Sequence, residues 1–192
     1  MKRKRGIWRE SLDYLKDSRN FIYLSIILFL AGTILGFAFP ELFSFYFDDV
    51  IRELVEKTAN MGVEDLIFFI FQNNILSVFM AFIFGVFLGI FPIFNIVVNG
   101  TLLGYVMSRV VAAEGAFSVW RIVPHGIFEL PAIFISVGLG VKLGLFWFSK
   151  KGRRAEEFRE RFWGGLKVFA TIVIPLLIIA AVVEGILIGF SG

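Results

Sequence analysis

Asn20 to Phe39 reads NFIYLSIILFLAGTILGFAF, and Pro40 follows it. The run carries no charged side chain. At about 1.5 Å per residue, such a helix reaches roughly 30 Å, the thickness of a bilayer's hydrocarbon core. Proline cannot continue a helix without losing a backbone hydrogen bond, so the run has a natural end. It starts too late and runs too long for a signal peptide, and no small-residue cleavage site closes it. The stretch therefore reads as a transmembrane helix, and it sets the expectation for the rest.

Four further stretches of similar character follow, at about 65–90, 93–112, 125–148 and 166–190. The expected fold is all-α: a multi-pass membrane bundle of about five transmembrane helices (20–39, 65–90, 93–112, 125–148, 166–190), with residues 1–192 forming one integral membrane domain. Composition agrees. Hydrophobic residues make up 58% of the chain, against about 45–50% in soluble domains. Mean hydropathy is +0.83. Cysteine is absent, which removes disulfides, thiolate metal sites and cysteine nucleophiles.

The charges are segregated. Seven basic residues lie in 1–19 (Lys2, Arg3, Lys4, Arg5, Arg9, Lys16, Arg19). Seven more lie in 150–167 (Lys150, Lys151, Arg153, Arg154, Arg159, Arg161, Lys167). Basic clusters beside apolar spans set membrane orientation, so the pI near 9.3 implies no nucleic-acid partner. The positive-inside rule puts the N-terminus in the cytoplasm and, after five crossings, the C-terminus outside the cell membrane. The 40–64 loop then lies outside. It is acidic, with Glu41, Asp48, Asp49, Glu53, Glu56 and Glu64 against Arg52 and Lys57. The third and fourth spans are joined outside at 113–124, and a very short inner turn falls at 91–95.

Three segments outside the spans are amphipathic. Residues 7–19 align Trp8, Leu12 and Leu15. Residues 41–57 align Phe43, Phe47, Val50, Ile51 and Leu54, and residues 154–163 align Phe158 and Phe162. They read either as helices in the headgroup layer or as caps on the bundle. Every span also holds a GxxxG pair: Gly32/Gly36, Gly85/Gly89, Gly100/Gly104, Gly140/Gly144 and Gly185/Gly189. Between helices in lipid there is no hydrophobic drive, so association depends on close backbone approach at small residues. The pairs predict a tight bundle and a homo-oligomer, a dimer first, held by a remaining glycine face.

Polar residues inside the spans mark a site, because each costs several kcal/mol or more at bilayer depth. They are Gln72, Asn73, Asn74, Asn95, Asn99, Arg109, His125, Glu129, Lys142 and Glu184, with Arg121 just beyond. Lys142 lies near the cytoplasmic end, where it can snorkel. The assigned orientation sorts the others. Gln72, Asn73, Asn74, Arg109, Arg121, His125, Glu129 and Glu184 form an outer layer. Asn95 and Asn99 form a separate inner group.

His125 is the chain's single histidine, and Glu129 shares its helix face four residues on. Two readings compete. The pair is half of a divalent metal site for an ion such as zinc, completed by Glu184 and an Asn or Gln. Alternatively it is structural: Glu129 accepts from Asn side chains or pairs with Arg109 or Arg121, and His125 orients it. HExxH, GxSxG and P-loop patterns are missing, and one histidine leaves little room for histidine-based catalysis. Pro124 and Pro131 bracket the pair. They allow a kink below Glu129 or a short re-entrant segment.

PHGIFELPAIFISVGLGVKLG (124–144) resembles the hallmark of the stage II sporulation protein M family, an HG-x-x-E-L/I-P-A segment opening a glycine-rich helix. NNILSVFMAFIFGVFLGIFPIFNIVVNGTLLG (73–104) resembles that family's second block. The matching positions are His125, Gly126, Glu129, Leu130 and Pro131, with Asn99 and Gly100. The resemblance implies a five-span membrane protein that scaffolds or anchors a membrane complex; the sporulation member works with cell-wall hydrolases. It implies no catalytic residue. Three functions stand open: a non-enzymatic scaffold with protein partners on its outer or cytoplasmic loops, a small transporter or channel subunit, and a metal-dependent intramembrane enzyme using His125, Glu129 and Glu184.

Overall fold

The computed structural model describes residues 6–121 and 123–191, and the side chains of 121–125 and of 184 onward lie outside the described set. Among the described residues every regular element is helical. The elements are α1 (Ile7–Asp17), α2 (Arg19–Ala38), α3 (Ser44–Thr58), α4 (Val63–Ile83), α5 (Ile90–Glu114), α6 (Val123–Gly144), α7 (Arg154–Val168) and α8 (Ile174–Ser191). Five stretches are long and apolar enough to cross a membrane: Arg19–Ala38, Val63–Val86, Ile90–Glu114, Gly126–Phe148 and Lys151–Val183.

Side-chain contacts give the directions. Gly32 lies against Val97 and Thr101, and Gly104 lies against Thr33, so α2 and α5 run parallel. Ser25 Oγ donates to the Phe134 carbonyl at 3.0 Å, while Gly138 meets Ile22, so α6 runs against α2. Phe169, just before α8, stacks on Phe82, while Phe68 and Phe71 line a groove with Ile178 and Val182, so α8 runs antiparallel to α4. One end of the bundle therefore gathers α1, α7 and the α4–α5 turn. The other gathers α3 and the α5–α6 connection.

Helix α6 is the centre of the bundle. It contributes Val137 and Val141 to a cluster with Phe29, Ala81 and Ile96. It contributes Ala132 to a second with Val78, Phe169, Val173 and Leu177, and Leu139 and Leu143 to a third with Phe82 and Val168. Its small residues sit where neighbours cross. A Cβ on Gly140 would strike the Ala81 carbonyl, and one on Gly144 would strike Gly85 and Gly89. Glycines meet in the same way between α2 and α5. A Cβ on Gly32 would fall 2.6 Å from the Val97 carbonyl oxygen, and Gly36 and Gly104 face the Thr101 and Thr33 carbonyls.

The inner turn differs from expectation. It occupies 84–89 instead of 91–95, and α5 begins at Ile90. Two local facts place it. Leu88 and Gly89 have positive φ, 58° and 72°, a left-handed step that breaks the helix and that glycine tolerates without a Cβ clash. Pro92 then falls in the first turn of α5, where a missing N–H costs nothing. Gly85 and Gly89 consequently flank a turn and do not form a stripe on a helix. At the fifth span, Phe169–Val173 is a wider, π-type turn. Pro175 lacks the N–H that an α-helix would aim at the Thr171 carbonyl, which accounts for the loosened ladder there.

The 3-10 turn Ala116–Arg121 links α5 to α6, and α6 is then helical through Pro131. The backbone from Val123 to Gly144 is thus one continuous helix. The three amphipathic segments are the helices α1, α3 and α7. Phe158 and Phe162 of α7 pack on Phe146 and Phe82, so this helix caps the bundle. Tyr14 of α1 lies against Gly164 of α7, and its hydroxyl donates to the Arg161 carbonyl at 3.2 Å. Burial pushes the Tyr14 hydroxyl's pKa well above that of a free tyrosine.

Candidate functional site

A crevice of about 520 Å³ lies between α2, α5 and α6. Its walls are mostly apolar, with Phe29, Leu103, Met107, Val119, Leu130 and Ile133 among them. Two polar side chains reach it, Asn99 from α5 and Glu129 from α6. These two were expected in separate layers, and the structure brings them to one cavity. The registers explain it. Phe29 packs on Gly100 in the parallel pair and on Phe134 in the antiparallel pair. Glu129 thus lies about 9 Å, under two helical turns, from the height of Asn99, near enough for both to line one cavity.

Asn99 is held by its own helix. Its Nδ2 donates to the Asn95 carbonyl at 2.8 Å and to Asn95 Oδ1 at 3.3 Å. Glu129 is half-buried on the opposite wall. The helical backbone keeps His125 and Glu129 one turn apart on α6. The side chains of His125, Arg121 and Glu184 lie outside the described residues, so the proposed metal set is not described as a whole. Among the described residues no three metal-ligating side chains come together.

The remaining amides do not join this cavity. Gln72 and Asn73 are exposed on the surface of α4, and Asn74 is half-buried. A common polar core of the four spans is therefore not what α4 supplies. Its inward positions are Phe71, Ile75, Val78, Phe79 and Phe82, spaced as a helical apolar face. Gln72 and Asn73 fall off that face, and Asn74 lies at its margin.

Arg109 belongs to a different network at the α3 end. Its Nε donates to the Tyr105 hydroxyl at 3.0 Å and its Nη1 to Glu41 at 3.2 Å. Tyr105 itself is fully buried and donates to Asp48 of α3. Phe47 packs on the Tyr105 ring beside this bond. The network ties the acidic amphipathic helix to α5. Sequence reading missed Tyr105, Asp48 and Glu41. The available signal was the four-residue spacing of Tyr105 and Arg109, which puts both on one face of α5.

At the opposite end Lys142 is engaged rather than snorkelling free. Its Nζ donates to Ser18 Oγ at 2.9 Å and sits 3.8 Å above the Tyr14 ring. Arg161 donates to the Lys142 carbonyl at 2.9 Å and pairs with Glu157 at 2.8 Å. Lys167 pairs with Glu10 of α1 at 2.5 Å. Helices α1 and α7 thus form one charged platform over the end of α6.

Comparison with known proteins adds the following. A family model described as Stage II sporulation protein M matches residues 25–187. An uncharacterized protein of Methanocaldococcus jannaschii is 28% identical over 184 residues, covering 89% of this chain and 82% of that protein. No solved structure matches.

Proposed function

Given that the chain belongs to the stage II sporulation protein M family, we propose that it is a non-enzymatic, multi-pass scaffold or anchor in a membrane complex. The observation that carries this reading is the interior. Among the described residues the fully buried side chains are apolar or small hydroxyls, apart from Tyr105 at the α3 end. Most of those hydroxyls donate to carbonyls one turn back in their own helices, as Ser11, Ser18, Thr101 and Thr171 do. No row of polar groups runs from one end to the other among them. Such a bundle is built to hold its ends in place. Those ends are differentiated: a charged platform of α1 and α7 beside the basic stretch Lys150, Lys151 and Arg153, and the acidic α3 bound to α5. In this reading the platform and the N-terminus face the cytoplasm, α3 and the C-terminus face outward from the cell membrane, and protein partners dock on these ends.

The crevice holding Asn99 and Glu129 supports a second reading, a small transporter or channel subunit. Cysteine scanning separates the two, because the chain has no native cysteine. Cysteines placed at positions 99, 103, 107, 129 and 133 are challenged with a water-soluble thiol reagent in sealed vesicles. A scaffold leaves them protected from both faces, whereas labelling that continues from one face to the other rejects it. The intramembrane-enzyme reading is tested by metal analysis of the purified protein and of His125→Ala. Stoichiometric zinc lost in that variant would overturn the non-enzymatic proposal.

A further inference from the structure

We propose that the exposed face of α4 centred on Gln72 and Asn73 is the interface between two copies of this chain. Gln72 and Asn73 sit nine and ten residues after Val63 in a 21-residue helix. That places them about 14–15 Å from its start, at mid-helix. This helix is one of the five apolar enough to span a bilayer, so its middle lies in hydrocarbon. Both side chains face away from the bundle and are exposed. Neither has a side-chain hydrogen-bond partner among the described residues. Lipid tails offer a primary amide neither donor nor acceptor, and such groups cost free energy unless another helix satisfies them.

Three observations favour a second copy as the covering partner. A carboxamide is both donor and acceptor, so identical amides facing each other across a two-fold axis satisfy one another reciprocally. Phe68 and Leu76, one turn to either side of Gln72, are 65% and 53% exposed and extend the face into an apolar seam. The four glycine pairs with described surroundings are all consumed by contacts inside the chain, so none of them is left to receive a neighbour. The sequence's glycine pairs predict a glycine-faced dimer, whereas the described pairs are used within the chain and the amide face of α4 stands exposed. The inference holds for a scaffold and for a transporter alike, and so stands apart from the functional reading.

The test uses the full-length protein in membranes. Leu76→Cys is compared with Ile27→Cys, which is 62% exposed on α2 and well away from the amide face. Oxidation is expected to trap Leu76→Cys, and not Ile27→Cys, as a disulfide dimer of twice the chain's mass. In parallel, the Gln72→Leu/Asn73→Leu double variant is reconstituted at a series of dilutions in lipid. Its dimer dissociation constant should rise roughly tenfold, the order expected from losing several interhelical amide hydrogen bonds. The thermal midpoint of the diluted monomer should be unchanged, because leucine suits a lipid-facing position. Equal cross-linking at the two positions, or unaltered dimerisation of the double variant, overturns the proposal. So does an adduct of Leu76→Cys with a different protein, which would give the face to a heterologous partner.

Discussion

Tyr105 shows how one residue joins two elements. Its ring is buried among apolar neighbours, and its hydroxyl lies between Asp48 of α3 and the guanidinium of Arg109. The exposed Arg109–Glu41 pair contributes little alone, since solvent screens it. The hydroxyl matters more, because it is the donor that fixes the acidic helix against α5. Tyr105→Phe keeps the ring packing on Phe47 and removes only that link. The expected cost is about 1 kcal/mol, the net worth of a typical hydrogen bond. It should show as faster hydrogen exchange across Ser44–Thr58, with Val63–Ile83 unchanged. Equal protection of α3 in both proteins would mean that apolar packing alone holds it. Sequence reading put Arg109 in the right half of the chain but with the wrong company. A lone arginine in an apolar run announces that it needs partners. It does not say that one comes from the loop 68 residues earlier.

Among the elements, α1 and α7 make the clearest case for what patterning reveals. Alternation of apolar and charged residues disclosed both helices, and left open whether they float in the headgroup layer or cap the bundle. The choice depends on tertiary fit. Gly164 gives room for the Tyr14 ring, Phe158 and Phe162 find Phe82 and Phe146, and Lys142 meets Tyr14 from below. None of these distances is written in periodicity. The docking carries a pH signature. Burial raises the folded-state pKa of Tyr14. The stability linked to that proton is therefore fully present below the unfolded value of about 10. It is lost as pH rises beyond it, because only the unfolded chain releases the proton readily there. Deprotonation would also remove the donor to the Arg161 carbonyl. Protection of α1 from limited proteolysis should therefore fall as pH passes about 10, and more steeply in the wild type than in Tyr14→Phe. Identical pH slopes for the two proteins would show that Tyr14 does not govern the docking. The α4–α5 turn teaches a similar lesson. Hydropathy ran straight through 84–89, since every residue there is apolar or glycine. The break depends on backbone sign at Leu88 and Gly89, to which a hydropathy window is blind.

At the scale of the molecule, five apolar helices were legible because hydrocarbon thickness imposes a length that few other constraints produce. Their register was not, and the site depends on register. Asn99 and Glu129 belong to different layers by sequence depth, and, about 9 Å apart in height, both line one crevice once glycine contacts align α2, α5 and α6. The same registers predict the orientation as one testable whole. If both basic clusters face the cytoplasm, all features of the α1–α7 end lie inside and all features of the α3 end lie outside. Single cysteines at Trp8, which is 59% exposed, and at Gly152 report the first end. Cysteines at Phe45 and Phe117, 89% and 92% exposed, report the second. A membrane-impermeant maleimide applied to intact cells should label positions 45 and 117 and spare 8 and 152, with the pattern equalised once the membrane is opened. Labelling of 8 and 152 alone would reverse the orientation while leaving the bundle intact. Labelling of 8 together with 45 would break the bundle's assignment of ends, because α2 spans the distance between them.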